Sequence, residues 1–416
     1  MLSIIALRKP INLKEFILLF MAAIYPLAVI PGPLNQFSGQ RYLLLAVISL
    51  VALYLVVREK KAPAKKILPA LGLFLLFASI STVLSADIAR AWIGHSYRYT
   101  GLTTYLFCAV LFFLAGQFQS PGKIVQVMVF GAVAVSAIAL LQYFGVDLFY
   151  YSDYVIFERG KGGYGTMGNA NWFGTYAVFI LPAALILFIT RRKGLWLGCA
   201  AVIFAGLLVS LTRGAWLACA VSLIIIFIFC RKNEKQRKLL FIAIAVLVVV
   251  ALILLPTRNW LIYRTAFSIP DQLAAASRLE DRAASGRIYI WKETLNRFME
   301  NWAFGIGPDH LQIKTPSGRI VNKAHNIYLE IAATMGIFAL LSYLAFISFF
   351  LRRWKNIDDF LFFIMICTYL VQGFSNNDVI MVMPLFWIVL GLSYAQRDIS
   401  SRIAPAGVIH GNDAGK

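Results

Sequence analysis

Residues 325–351 read HNIYLEIAATMGIFALLSYLAFISFFL. About 20 consecutive apolar residues are enough to cross a hydrocarbon core of ~30 Å, so this stretch is a membrane helix entered from a polar loop. The loop sets His325 and Asn326 at the mouth of the helix and leaves Gly336 and Ala339 inside it. An imidazole at such a mouth titrates near neutral pH and can take a proton from a hydroxyl. It also stands where a lipid-borne substrate meets a water-borne one. An interfacial histidine can equally cap or anchor a helix, so polar residues elsewhere must decide between the readings.

Similar runs recur along the chain, at 14–31, 41–57, 67–84, 102–119, 122–144, 172–190, 195–211, 214–230, 239–256, 325–351, 358–374 and 379–396. A composition of 60% hydrophobic and 14% charged residues, with mean hydropathy +0.75, excludes a soluble chain of this length, which needs far more surface charge. The expected fold is an all-α integral membrane protein of about twelve transmembrane helices. It forms a single polytopic membrane domain over 1–416, with one long, partly helical external loop, 257–323, between helices 9 and 10. The first helix follows Arg8 and Lys9 as a signal peptide would. Its Pro31-Gly32-Pro33 exit is a poor cleavage site, which makes it an uncleaved anchor.

Lys and Arg concentrate in short cytoplasmic loops. With the N-terminus inside, 23 of the 39 Lys and Arg residues fall on the inner side, and only six lie outside once the ten in the long loop are set apart. Both termini are therefore expected in the cytoplasm. The +20 net charge is then largely topology, and with no basic soluble domain or RNA-type motif a nucleic-acid partner is not expected. The five cysteines, Cys108, Cys199, Cys219, Cys230 and Cys367, fall in or beside apolar runs without paired spacing and read as small packing residues. No acidic cluster or His-Glu-x-x-His motif suggests a metal site, so charge handling falls to Arg and Lys.

Within the long loop, 271–284 reads as helical and a second helix follows Ser285, a plausible N-cap. Ile288, Trp291, Leu295 and Phe298 give that helix one apolar face, which should rest on the bundle or in the headgroup layer. Arg287 stands in its first turn, where free N–H groups already favour an anion. Alone it could be a solvated loop arginine. Arg213 occupies the tight turn Leu211-Thr212-Arg213-Gly214 between two apolar runs, with Leu217 four positions on. It is either functional or snorkelling to the headgroups.

Arg213 with Leu217 forms an Arg-x-x-x-Leu motif, and His325-Asn326 with Gly336 and Ala339 forms His-Asn-x9-Gly-x-x-Ala; Arg287 lies in the external loop between them. In this order the motifs resemble those of the bacterial O-antigen ligase and O-antigen polymerase family of membrane glycosyltransferases, in which the last position of the histidine motif is glycine. Gly165-Thr166-Met167-Gly168-Asn169-Ala170-Asn171 is similar to that family's Gly-Thr-Phe-Gly-Asn-Pro-Asn segment, and Gly305-Ile306-Gly307-Pro308 to its Gly-x-Gly-Pro run. The resemblance spans roughly residues 160–345.

The resemblance implies a GT-C-like membrane fold in a bacterial plasma (inner) membrane, with the active site on the periplasmic or outer face. It implies an undecaprenyl-pyrophosphate-linked glycan donor and transfer with inversion to a glycan or lipid A-core acceptor hydroxyl. No cofactor or metal is expected, and membrane lipid is the surrounding partner. The residue chemistry agrees: His325 is placed to act as general base, and Arg213 and Arg287 can hold pyrophosphate oxygens in forked geometry. Asn326, Glu330, Asn169, Asn171 and Arg98 are possible supporting residues, and Asp87 is a fallback base. Arg90, Trp92, His95 and Tyr99 beside Arg98 could line a sugar channel or form an interfacial belt. Polymerase and protein-oligosaccharyltransferase activities share this chemistry. A transporter of lipid-linked glycans would show internal repeats and charges midway along its helices, and neither is seen here.

Overall fold

The computed structural model describes residues 11–30, 35–59, 66–149, 162–281, 283–352, 354 and 356–403. Arg8, Lys9, the Pro31-Gly32-Pro33 exit and His410 lie outside these residues. In chain order the helices are α1 (Leu13–Ala23), α2 (Gly39–Arg58), α3 (Leu68–Val83), α4 (Ile88–Ile93), α5 (Leu102–Gly116), α6 (Pro121–Tyr143), α7 (Ala170–Arg191), α8 (Gly194–Val209), α9 (Arg213–Cys230) and α10 (Glu234–Leu254). Then come α11 (Thr257–Phe267), α12 (Ile269–Ser277), α13 (Ala283–Glu300), α14 (Ile327–Ser348), α15 (Ile357–Gly373) and α16 (Met383–Ile403). The only strands among the described residues are β1 (Ile313–Lys314) and β2 (Ile320–Val321), an antiparallel pair.

Each apolar run is helical over most of its length, because a chain in lipid must satisfy its backbone groups within the segment. The first is shortened: α1 stops at Ala23 and Tyr25–Leu27 form a 3-10 turn at Pro26, which cannot continue the hydrogen-bond ladder. Six helices, α2, α6, α7, α9, α10 and α14, are long and apolar enough to cross a membrane; α3, α5 and α8 are apolar but shorter. Side-chain caps at Asn12, Asp87, Asn169, Asn233, Asn326 and Asn356 begin α1, α4, α7, α10, α14 and α15; each is worth about 1 kcal/mol. The hub of the bundle is α7, buried along almost its whole length and packed on α6, α8 and α15, while α16 lies along α5 and α14 along α3.

Inside α14 the helix breaks at Gly336 (φ 85°, ψ 174°). A β-carbon there would collide with the Ala303 carbonyl, and φ in this region favours glycine in any case. The break frees the carbonyl of Thr334, which accepts from Gly307 N–H at 2.8 Å and Ser81 Oγ at 2.7 Å, while Ile337 N–H donates to Trp302 O at 2.8 Å. The Gly305–Pro308 run and the glycine of the histidine motif, 31 positions apart between Gly305 and Gly336, are thus one contact. It stitches the segment after α13 onto the bundle.

Between α10 and α14, α13 packs through Ile290 on Leu311, Ile313, Ala324 and Ala333, with Phe298 at the margin. The apolar face expected from spacing is corrected at Leu295, which is 48% exposed. Ile288 is buried as expected, and Ile290 and Thr294 are buried beside it, because the hairpin and the start of α14 contact that side. Ser285 is not an N-cap: Ala284, Ser285 and Gly286 all have positive φ, and regular helix starts at Arg287.

Candidate active site

One cavity of about 570 Å³ collects residues from seven stretches of the chain. Four helix starts surround it: Asn169 and Asn171 at α7, Arg213 at α9, Arg287 at the regular part of α13, and His325 just ahead of α14. Arg98 and Arg319 add two more guanidinium groups, and no Asp or Glu among the described residues lines the space. Four arginines and several free helix N–H groups without a carboxylate make this a site for an anion. Leu217, Ile269, Leu273 and Ala276 form an apolar wall, with Leu217 one turn along α9 from Arg213.

Arg213 lies on the cavity wall. Its Nη1 donates to Ser268 Oγ at 2.9 Å and its Nη2 to Ser285 Oγ at 2.6 Å, so its fork is aimed at the loop helices over the cavity. The left-handed backbone of Leu211 (φ 56°) and the hydrogen bond from Thr212 Oγ1 to Ala170 O at 3.0 Å hold this turn against the start of α7. Arg287 has its pKa lowered to about 10 by burial and by Arg213; it is still charged at neutral pH, and neither arginine has a carboxylate partner among the described residues. Two unneutralised guanidinium groups that repel across one space are a poor arrangement for stability alone. An anion between them removes the repulsion.

His325 sits in a left-handed conformation (φ 53°), which costs roughly 1–2 kcal/mol outside glycine, and its Nδ1 is enclosed without a partner. Burial first, and then Arg287, Arg98, Lys323 and Arg319, lower its pKa to about 3. The ring is therefore neutral across the physiological range, which corrects the near-neutral titration expected from its position; it becomes a stronger base only when a bound anion offsets these cations.

The other candidates divide. Arg98, Asn169 and Asn171 reach the cavity. Asn169 also caps α7, accepting from Asn171 N–H at 2.9 Å, and Asn326 is spent on the cap of α14, accepting from Tyr328 and Leu329 N–H at 3.0 Å each. Asp87 is not brought to the cavity: it is exposed and caps α4, which corrects its place as fallback base. Glu330 also lies outside the lining. It is buried and holds Lys323 Nζ at 3.0 Å and Ala324 N–H at 2.7 Å.

Of the residues beside Arg98, Arg90 and His95 bind Asp309, Tyr99 stacks on Tyr42 with centroids 4.9 Å apart, and Trp92 is exposed. None of the four lines the cavity. Sequence reasoning missed Arg319, Asn322, Ser375, Asn376 and Asn377 on the wall. The polar run Ser375-Asn376-Asn377 between two apolar helices was the signal available for three of them.

Apolar helices around a cationic cavity are the features of a multi-pass membrane protein. Residues 198–344 match the family model described as O-antigen ligase, which shows the resemblance read from the motifs and covers Arg213, Leu217, Arg287, His325, Gly336 and Ala339 alike. The match supports a membrane enzyme of the O-antigen ligase or polymerase type, with lipid-linked glycan and acceptor as the general substrates. No curated protein matches the chain.

Proposed function

We propose that the protein transfers a glycan from undecaprenyl pyrophosphate to an acceptor hydroxyl, of lipid A-core type or similar, with inversion and without a metal. The observation that carries this reading is the convergence of His325, Arg213 and Arg287 from three separate segments on one cavity that no Asp or Glu among the described residues lines. Arg213 and Arg287 grip the pyrophosphate, and the polyprenyl chain leaves along Leu217 and Leu273 into lipid. His325 takes the acceptor's proton as the acceptor oxygen bonds to the anomeric carbon. The bond from that carbon to the pyrophosphate oxygen breaks on the opposite face, and its electron pair departs with the leaving group, where the guanidinium groups stabilise the charge. Twelve crossings, cytoplasmic termini and a cavity on the periplasmic face of the inner membrane complete the reading. The charge bias of the short loops supports it.

Purified protein given undecaprenyl-pyrophosphate-linked glycan and lipopolysaccharide core is expected to release one undecaprenyl pyrophosphate per glycan transferred, in the presence of EDTA. Loss on chelation, restored by Mg²⁺, would remove the arginine-only account. Movement of the intact lipid-linked glycan across a vesicle membrane, without transfer, would make the protein a transporter.

The low pKa of His325 carries its own signature. In the free enzyme burial and the surrounding cations lower the pKa of the ring to about 3, so kcat/KM should stay flat through pH 6.5 and fall only at lower pH. Bound pyrophosphate adds negative charge and raises that pKa. The acid limb of kcat should therefore lie at higher pH than that of kcat/KM, because the two report bound and free enzyme respectively. A kcat/KM limb at the ordinary histidine value near 6.5 would contradict the cationic environment.

A further inference from the structure

Two residues ahead of His325, Lys323 is 3% exposed. Its ammonium meets Asp309 Oδ1 at 2.9 Å, Glu330 Oε1 at 3.0 Å and Thr100 Oγ1 at 2.9 Å. Glu330 and Thr100 accept hydrogen bonds from the ammonium and Asp309 pairs with it by charge, and Lys323 does not line the cavity. Its acceptors come from three segments: the turn that carries Arg98, the loop sewn to the break in α14, and the first turn of α14. The second oxygen of each carboxylate holds a main-chain N–H, Asp309 that of His95 at 2.7 Å and Glu330 that of Ala324 at 2.7 Å. Ala324 immediately precedes His325, and Asn326, which follows it, is pinned as the cap of α14. The left-handed backbone of His325 is therefore clamped from both sides, and one clamp depends on the lysine.

We infer that Lys323 is a positioning residue that, through Glu330 and Asp309, fixes His325 and the turn bearing Arg98 at the cavity wall. Burial pulls the pKa of Lys323 down, but the two carboxylates outweigh it and hold it above the ordinary lysine value; the same pairing keeps Asp309 below the ordinary carboxylate value despite its burial. Lys323 and Asp309 are thus charged at neutral pH. The inference rests on the reading of His325 as the base.

The test uses the full chain in nanodiscs. Transfer is followed with lipid-linked glycan extracted from the source membranes, and donor binding with undecaprenyl pyrophosphate. Lys323→Met alone strands two buried carboxylates and can unfold the site. The informative variant is Lys323→Met/Asp309→Asn/Glu330→Gln, in which the charges leave together and the amides keep an oxygen for the His95 and Ala324 N–H groups. Expected are unchanged binding of undecaprenyl pyrophosphate and a kcat lowered by about 10²-fold, the size of effect a 1 Å misplacement can have. Adding His325→Ala to this variant should cost little more, since both changes remove the same function. Wild-type kcat in the triple variant, or a multiplicative loss with His325→Ala, overturns the inference and leaves the proposed function standing. Lost binding of undecaprenyl pyrophosphate overturns it too, by making the network a general scaffold. If His325→Ala alone keeps wild-type kcat, the proposed function and the inference fall together.

Discussion

His325→Ala is expected to lower transfer by roughly 10²–10⁴-fold, the usual contribution of a positioned general base, while leaving the protein folded and able to bind donor. The folded state should survive because Nδ1 makes no hydrogen bond, so the truncation strands no buried partner. The cap at Asn326 and the Glu330–Ala324 hydrogen bond are main-chain features that the substitution does not touch. Donor binding should survive because the pyrophosphate is held by other residues. Removing an imidazole that is neutral in the free protein takes no positive charge away from the anion. The measurement is kcat and KM on purified protein, with Asp87→Ala as comparator. Asp87 caps α4 outside the cavity, so its variant should transfer at near wild-type rate. The reverse pattern, with His325→Ala active and Asp87→Ala inactive, would show that the base has been misassigned.

Arg213→Lys and Arg287→Lys should each lose about 10–100-fold in kcat/KM, the equivalent of one charge-assisted hydrogen-bond network of about 1.5–3 kcal/mol. Lysine keeps the charge and loses the planar fork. Arg213 already gives one N–H to Ser268 and another to Ser285. Of its five donors, three remain to face a phosphate without letting go of the loop helices. A lysine at this position has three donors on one nitrogen and cannot keep both Ser268 and Ser285 while presenting a planar fork to two phosphate oxygens. Arg297→Lys is the control, since Arg297 is solvent-exposed and pairs only with Glu300 one turn away. Wild-type rates in both cavity variants at matched expression would reduce Arg213 and Arg287 to anchors and leave the pyrophosphate without a partner.

The helices and the principal site residues were legible in the chain because their causes are local. An apolar run in lipid must pair its own N–H and C=O groups, so α2, α6, α7, α9, α10 and α14 follow from hydropathy. Asn169 and Asn326 read in the chain only as possible supporting residues, and the structure shows both capping helices. Arg213, Arg287 and His325 stood out because charged or titratable groups at membrane mouths are costly and need a reason. Local rules misread Ser285 and Leu295: the first turned out to be an acceptor for Arg213 in a left-handed turn, the second an exposed residue on α13. Both depended on which neighbour arrived from elsewhere.

Composition and the order of polar residues along the chain therefore determined a helical membrane protein, its cationic site residues and the family they resemble. The tertiary structure alone decided that Gly336 and Gly305 are one contact, that Asp87 and Glu330 do not face the cavity, and that Asn376 and Asn377 do. It also decided that Lys323 is enclosed by Asp309, Glu330 and Thr100, the last of which lies 223 positions away. The division follows from the range of the forces. Transfer into lipid and backbone hydrogen bonding act within a segment, whereas a buried ion cluster or a cavity wall exists only where segments distant in sequence are packed into contact.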